Sequence, residues 1–166
     1  MPEGVRSVLE MTSRDALRPA PKPDVPLRLE RMRDCPASFF RYLYTEGGQQ
    51  WRWVDRLGWT DDEIRAHLSQ SAISMWLLTV RGTPAGYFEL AQQDDGAVEI
   101  AYFGLLPEFT GAGLGRWMLT EATLTAWKLG ANRVWLHTCT FDHPAALPNY
   151  LRRGFTVVRE EPYAIP

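Results

Sequence analysis

A mixed α/β sheet flanked by helices is the fold class this sequence predicts, and three observations lead there. Three β-rich segments, Met75–Val80, Ala85–Gln92 and Val98–Leu106, are separated by hairpin-turn chemistry at Arg81-Gly-Thr-Pro84 and Asp94-Asp-Gly96. A long helical stripe follows, with Leu114, Met118, Ala122, Ala126 and Leu129 on one face. A strand, a short helix and a last strand close the chain. Antiparallel hairpins feeding a strand–helix–strand crossover make a mixed sheet.

Each element has its own signal, in order. Ser7–Thr12 reads either as a short strand or as part of a disordered tail. Pro19, Pro21, Pro23 and Pro26 then favour an extended connector. Leu27 and Leu29 alternate with Arg28 and Glu30, a strand pattern. Phe39, Phe40, Leu43 and Tyr44 recur at helical spacing over Pro36–Tyr44, and Gly47-Gly48 is expected to break that helix. Thr60-Asp-Asp-Glu63 is a capping box opening a helix to about Ser69. The long helix covers Gly113–Leu129 and ends at Gly130. Arg133–Thr138 is a strand, a helix runs to Arg153, and Phe155–Val158 is the final strand.

The chain's 166 residues suit one domain, and 45% apolar residues suffice for an ordinary core. A net charge of −2 argues against nonspecific nucleic-acid binding, which needs a large basic excess. Cys35 and Cys139 form no CxxC or Cys/His cluster, and no histidine pair has metal spacing, so no metal is expected. The thiols read as reduced and the compartment as cytoplasmic, because the first 25 residues lack an apolar leader. No run approaches the length needed to span a membrane, so no membrane partner is expected either.

The segment Pro107-Glu-Phe-Thr-Gly-Ala-Gly-Leu-Gly115 stands between a strand and a helix. Its glycines uncover backbone N–H groups at a helix N-terminus, where anions are favoured. Phosphate is the natural guest. The dinucleotide fingerprint fails, because the third glycine comes one residue early and Arg116 stands in its place. A nucleotide P-loop fails too, for want of Gly-Lys-Ser/Thr.

On these residues the chain resembles the GNAT superfamily of N-acetyltransferases. That superfamily carries Arg/Gln-x-x-Gly-x-Gly/Ala after a bulged strand, and here the run is Thr110-Gly-Ala-Gly113-Leu-Gly115. Both glycines match; Thr110 departs from Arg or Gln, and Arg116 is the candidate to compensate. A second motif, Asn-x-x-Ala-x-x-x-Tyr before Gly-Phe, is matched by Ala146, Tyr150, Gly154 and Phe155, with His143 at the Asn position. Pro148 predicts a late start or a kink in that helix. The match covers about Val98–Val158.

The resemblance implies a central, mostly antiparallel sheet, splayed where strand 98–106 leaves strand 133–138 to form the coenzyme cleft. It implies acetyl-coenzyme A as cosubstrate, with no metal. Loop residues Thr110, Gly111, Ala112, Gly113, Leu114, Gly115 and Arg116, together with His143, would hold the coenzyme. Backbone groups near Phe103, Leu105 and Leu106 would pair with the pantetheine arm.

Glu99 takes the family's general-base position, with Glu89 as the competing carboxylate. An alkyl amine of pKa ~10.4 costs roughly 4–5 kcal/mol to deprotonate at neutral pH. A carboxylate relay is therefore useful, worth about 10²–10⁴ in rate. Tyr150 would protonate the departing thiolate, since a thiol near ~8.5 and a phenol near ~10 are closely matched.

The acceptor would be a small-molecule or peptide amine. Trp51, Trp53 and Trp59, with Asp55, Asp61, Asp62 and Glu63 nearby, either line a site for a cationic amine or serve as core and helix-start charges. Residues 1–26 are expected to form an N-terminal arm and residues 27–166 the acetyltransferase domain. A homodimer, common in such folds, is left open.

Overall fold

The computed structural model describes residues 3–164. The first two and last two residues of the expected arm and domain lie outside the described residues. Seven strands make one sheet: β1 (Glu3–Met11), β2 (Leu27–Met32), β3 (Ile73–Val80), β4 (Thr83–Gln92), β5 (Ala97–Leu105), β6 (Arg133–Cys139) and β7 (Thr156–Ala164). Their spatial order is β2-β3-β4-β5-β6-β1-β7, and only the β5–β6 pair is parallel. The four α-helices are α1 (Ala37–Gly48), α2 (Asp61–Leu68), α3 (Leu114–Lys128) and α4 (Ala146–Arg152).

The crossover helix α3 buries Leu114, Met118, Leu119, Ala122 and Ala126 against Phe88, Leu90 and Leu136 of the sheet. Burying side chains the size of Met118 and Leu119 contributes roughly 1.5–3 kcal/mol each. On the sheet's other face, Phe40, Leu43, Ile64, Met75 and Tyr87 form a second core beneath α1 and α2.

Residues 3–11 are a strand, the first of the two readings offered by Ser7–Thr12. β1 lies between β6 and β7, pairing Arg6 with Cys139 and Leu9 with Leu136 on one side and Arg6 with Glu161 on the other. The proline connector then crosses α3 and α4. The Ala20 N–H donates to Thr120 Oγ1 at 3.0 Å, and the Arg18 N–H donates to the Arg153 carbonyl at 2.9 Å. β7 runs to Ala164, well past Val158, because β1 supplies a partner along its length.

The Thr60 capping box forms, with the Glu63 N–H donating to Thr60 Oγ1 at 3.1 Å. Gly47-Gly48 does not break α1; both residues complete its last turn. Gly48 gives clearance: a Cβ there would overlap the Trp53 ring, and one at Gly104 would sit 3.0 Å from Trp53 Cη2. α4 starts late, at Ala146, which places Pro148 in the first turn, where its missing N–H breaks no helical bond. Among the described residues no helix is long and apolar enough to cross a membrane.

Candidate active site

The site begins with an irregularity in β5. Glu89 faces Tyr102 and Leu90 faces Ile100, so Ala101 is left without a partner and the strand bulges. β5 and β6 pair only from Ala97 with Arg133 to Glu99 with Trp135, although both strands run on. Beyond Glu99 they part, and the opening is a cleft of about 550 Å³. This is the expected splay between strands 98–106 and 133–138.

Of the residues proposed for the coenzyme, Phe103, Leu105, Thr110, Gly111, Gly113, Gly115, Arg116 and His143 all border the cleft. Gly111 and Gly113 have φ of +83° and +79°, left-handed values that glycine adopts freely, and Gly113 caps α3. Three proposed residues do not border it. Leu114 is core, Ala112 is exposed outside it, and Leu106 is buried with its N–H donating to the Ala85 carbonyl at 2.8 Å. Leu106 therefore has no N–H left for a ligand. Thr110 turns inward on its own loop, donating to the Pro107 carbonyl at 3.0 Å. Arg116 brings positive charge beside Gly113, and Arg152 of α4, which the sequence motifs did not single out, also borders the cleft.

The two carboxylates have separate environments. Glu89 is fully buried and held by Arg56 (Nη1–Oε1 2.6 Å, Nη2–Oε2 2.8 Å) and by His67 Nε2 at 3.0 Å. Burial pushes its pKa up, but the hydrogen bonds from Arg56 and His67 outweigh this and hold it below the ordinary carboxylate value. Glu99 borders the cleft where β5 and β6 part. Partial burial, reinforced by the nearby Glu89 charge, raises its pKa. A carboxylate with raised basicity at the root of a cleft suits proton abstraction.

Tyr150 borders the same cleft, nearly buried, with its ring edge-on to Phe103 (6.3 Å) and Phe155 (6.4 Å). Burial, with a smaller push from Asp142, raises its pKa. The expected close match to a thiol is thereby loosened: a phenol that holds its proton more tightly suits hydrogen-bond donation better than full proton transfer. His143 Nδ1 accepts the Ala145 N–H at 2.9 Å, so in the neutral ring the proton sits on Nε2. Cys139 also borders the cleft, but burial raises its thiol pKa, away from the nucleophilic thiolate.

On the other side, Trp51 and Trp53 border the cleft, Trp51 edge-on to His143 at 4.9 Å. Trp59 does not; it stacks on Phe40 (6.0 Å) behind the Arg56 guanidinium. The acids divide as well. Asp61 pairs with Arg41, Asp62 with Arg65, and Glu63 completes the capping box, all in exposed positions on α2. Only Asp55 of that group borders the cleft, and it stands there with Arg6, Arg52 and Arg56. None of these arginines was marked by a motif, because their placement depends on β1 and on the loop after α1.

The Acetyltransferase (GNAT) family profile matches residues 29–155. No curated protein matches the chain at a significant level. Among solved structures, a GCN5-related N-acetyltransferase from Sphaerobacter thermophilus superposes with TM-score 0.66 at 18% identity, over 96% of this chain and 50% of that one. The ribosomal-protein-S18-alanine N-acetyltransferase of Escherichia coli gives 0.62 at 16% identity, over 79% and 78%. An aminoglycoside acetyltransferase from an uncultured soil metagenomic sample gives 0.62 at 14% identity, over 75% and 85%. The chain spans 50–60% of the length of several structures that it matches over nearly its whole extent. At these identities the superpositions speak for the fold. The profile match covers most of the chain, and the protein belongs to the GNAT family of acetyltransferases.

Proposed function

We propose that this chain transfers an acetyl group from acetyl-coenzyme A to a primary amine, directly and within a ternary complex. One observation carries the reading: β5 and β6 part just past Glu99, into a cleft bordered by the α3 glycine loop. The loop amides and Arg116 would take the pyrophosphate, and the freed edge of β5 near Phe103–Leu105 would take the pantetheine arm.

The chemistry follows from the groups at the root. Glu99, through a water, removes a proton from the ammonium. The neutral nitrogen attacks the thioester carbonyl carbon, forming the N–C bond. The tetrahedral intermediate then collapses: the C–S bond breaks as the carbonyl re-forms, the nitrogen's second proton passes through water to the departing thiolate, and the Tyr150 hydroxyl steadies that thiolate with a hydrogen bond. No cysteine takes part.

Melting curves with acetyl-coenzyme A, succinyl-coenzyme A and NAD test the donor. Stabilisation that is largest with acetyl-coenzyme A is expected. A larger shift with succinyl-coenzyme A reassigns the donor, and a shift with NAD alone overturns the reading. Thiol release across a panel of primary amines then tests transfer. Coenzyme binding without turnover on any amine would favour a noncatalytic acyl-coenzyme A sensor.

A further inference from the structure

The acceptor end of the cleft carries more positive charge than the sequence suggested, and its arrangement names a substrate class. Arg6 of β1 pairs in register with Cys139, and Glu99 pairs with Trp135, two strand steps and two more from Cys139 along β6. Paired residues and alternate residues share a face, so Arg6, Cys139, His137 and Glu99 all project from one side of the sheet. That side also carries Arg52, from the loop after α1, and both arginines border the cleft.

The two guanidiniums are set on an aromatic base. Arg6 Cζ lies 4.2 Å from the Tyr163 ring centre and Arg52 Cζ 5.3 Å from that of Phe141, while the two rings pack at 6.3 Å. A guanidinium stacked on a ring keeps its in-plane N–H groups available for a planar anion. Neither is well neutralised among the described residues. The nearest acid to Arg6 is Glu161 at 3.9 Å, beyond hydrogen-bond length, and Arg6 Nε is buried without a partner. Among the described residues Arg52 has no ion pair. The other charged groups here are committed or differently placed: Arg56 belongs to Glu89, and Asp142 accepts from the Thr138 hydroxyl and the Cys139 N–H. Asp55 remains, with Glu99, to face an ammonium.

Resting on the acetyl-transfer reading above, we propose that the acceptor is an amine that also bears a carboxylate, an amino acid in the broad sense. Its carboxylate sits against Arg6 and Arg52 and its nitrogen is directed toward Glu99. The transfer step is unchanged: the N–C bond forms, the C–S bond breaks, and the amine proton leaves through Glu99.

The test measures kcat/KM for L-phenylalanine, L-leucine and L-lysine against phenethylamine, isopentylamine and cadaverine, which lack the carboxylate. Two charge-assisted hydrogen bonds predict at least a ~10-fold preference for the acids. Arg52→Gln and Arg6→Gln should each bring that ratio toward one, and Arg52→Lys should retain part of it. Calorimetry on coenzyme A-loaded protein gives a readout free of catalysis: N-acetyl-L-phenylalanine should bind more tightly than N-acetylphenethylamine. Equal or better use of the plain amines, or a preference that survives both glutamine variants, overturns the proposal while leaving acetyl transfer intact. Failure of acetyl-coenzyme A to bind overturns both.

Discussion

Arg56 grips both oxygens of Glu89, at 2.6 and 2.8 Å, and so commits to an ion pair the carboxylate whose charge is felt at Glu99. The pair is buried, and the guanidinium also lies 4.1 Å from the Tyr102 ring centre. Glu89 thereby fixes Arg56, which borders the cleft.

Removing one partner of a buried ion pair leaves the other uncompensated, at a cost of about 3–5 kcal/mol. Glu89→Gln should accordingly lower the melting temperature by roughly 6 to 20 °C. The pH dependence has a definite sign. Glu89 has a lowered pKa in the fold, so its contribution is present above the unfolded carboxylate value and fades as pH falls through the folded one. The melting difference between parent and variant should shrink in acid. A variant as stable as the parent at pH 7 would contradict the pairing.

Glu99 has the opposite sign. Its raised pKa means that the fold bears a cost for the charged form above that value, and the cost vanishes once the group is protonated. Glu99→Gln should therefore raise the melting temperature slightly at pH 7 and have no such effect at low pH. In the same variant turnover should fall most near neutral pH and recover partly as pH rises, because more of the amine is then neutral. Loss of stability together with a pH–rate profile like the parent's would make Glu99 a structural residue.

Tyr150→Phe keeps the ring that packs on Phe103 and Phe155 and removes only the hydroxyl. Turnover should fall about 10- to 100-fold, less than for a full general acid, since a thiolate leaves without complete protonation. Acetyl-coenzyme A affinity should change little. Full turnover with a verified acceptor would reduce Tyr150 to packing.

Much of this was legible in the sequence where the signal is local. The Thr60 capping box, the Gly113–Gly115 turn into α3 and the β3–β4–β5 hairpins rest on neighbours within a few residues, and all form as read. The place of β1 was not legible, because its partners lie more than 120 residues away and strand pairing leaves no mark on either segment. Gly47-Gly48 was read as punctuation, whereas both residues are helical and Gly48 makes room for the bulk of Trp53. For the acids of α2 the sequence left two readings open, and the helix takes the second, presenting them to solvent as helix-start charges paired with Arg41 and Arg65. Arg6 reaches the cleft through that same long-range pairing of β1 and Arg52 through the loop after α1, so neither carried a local signal.

The most direct test of the account is calorimetric titration of acetyl-coenzyme A into the parent protein and into Gly113→Val. Gly113 holds φ +79°, and an added Cβ would meet Arg116 Nη2 at 3.0 Å, so valine must distort the loop whose amides are assigned to the pyrophosphate. The parent should bind with one site per chain, and the variant, folded by circular dichroism, should bind at least ~10-fold more weakly, in keeping with losing one or more charge-assisted hydrogen bonds. Equal affinity in a folded variant would take the glycine loop out of the site and contradict the reading of the cleft.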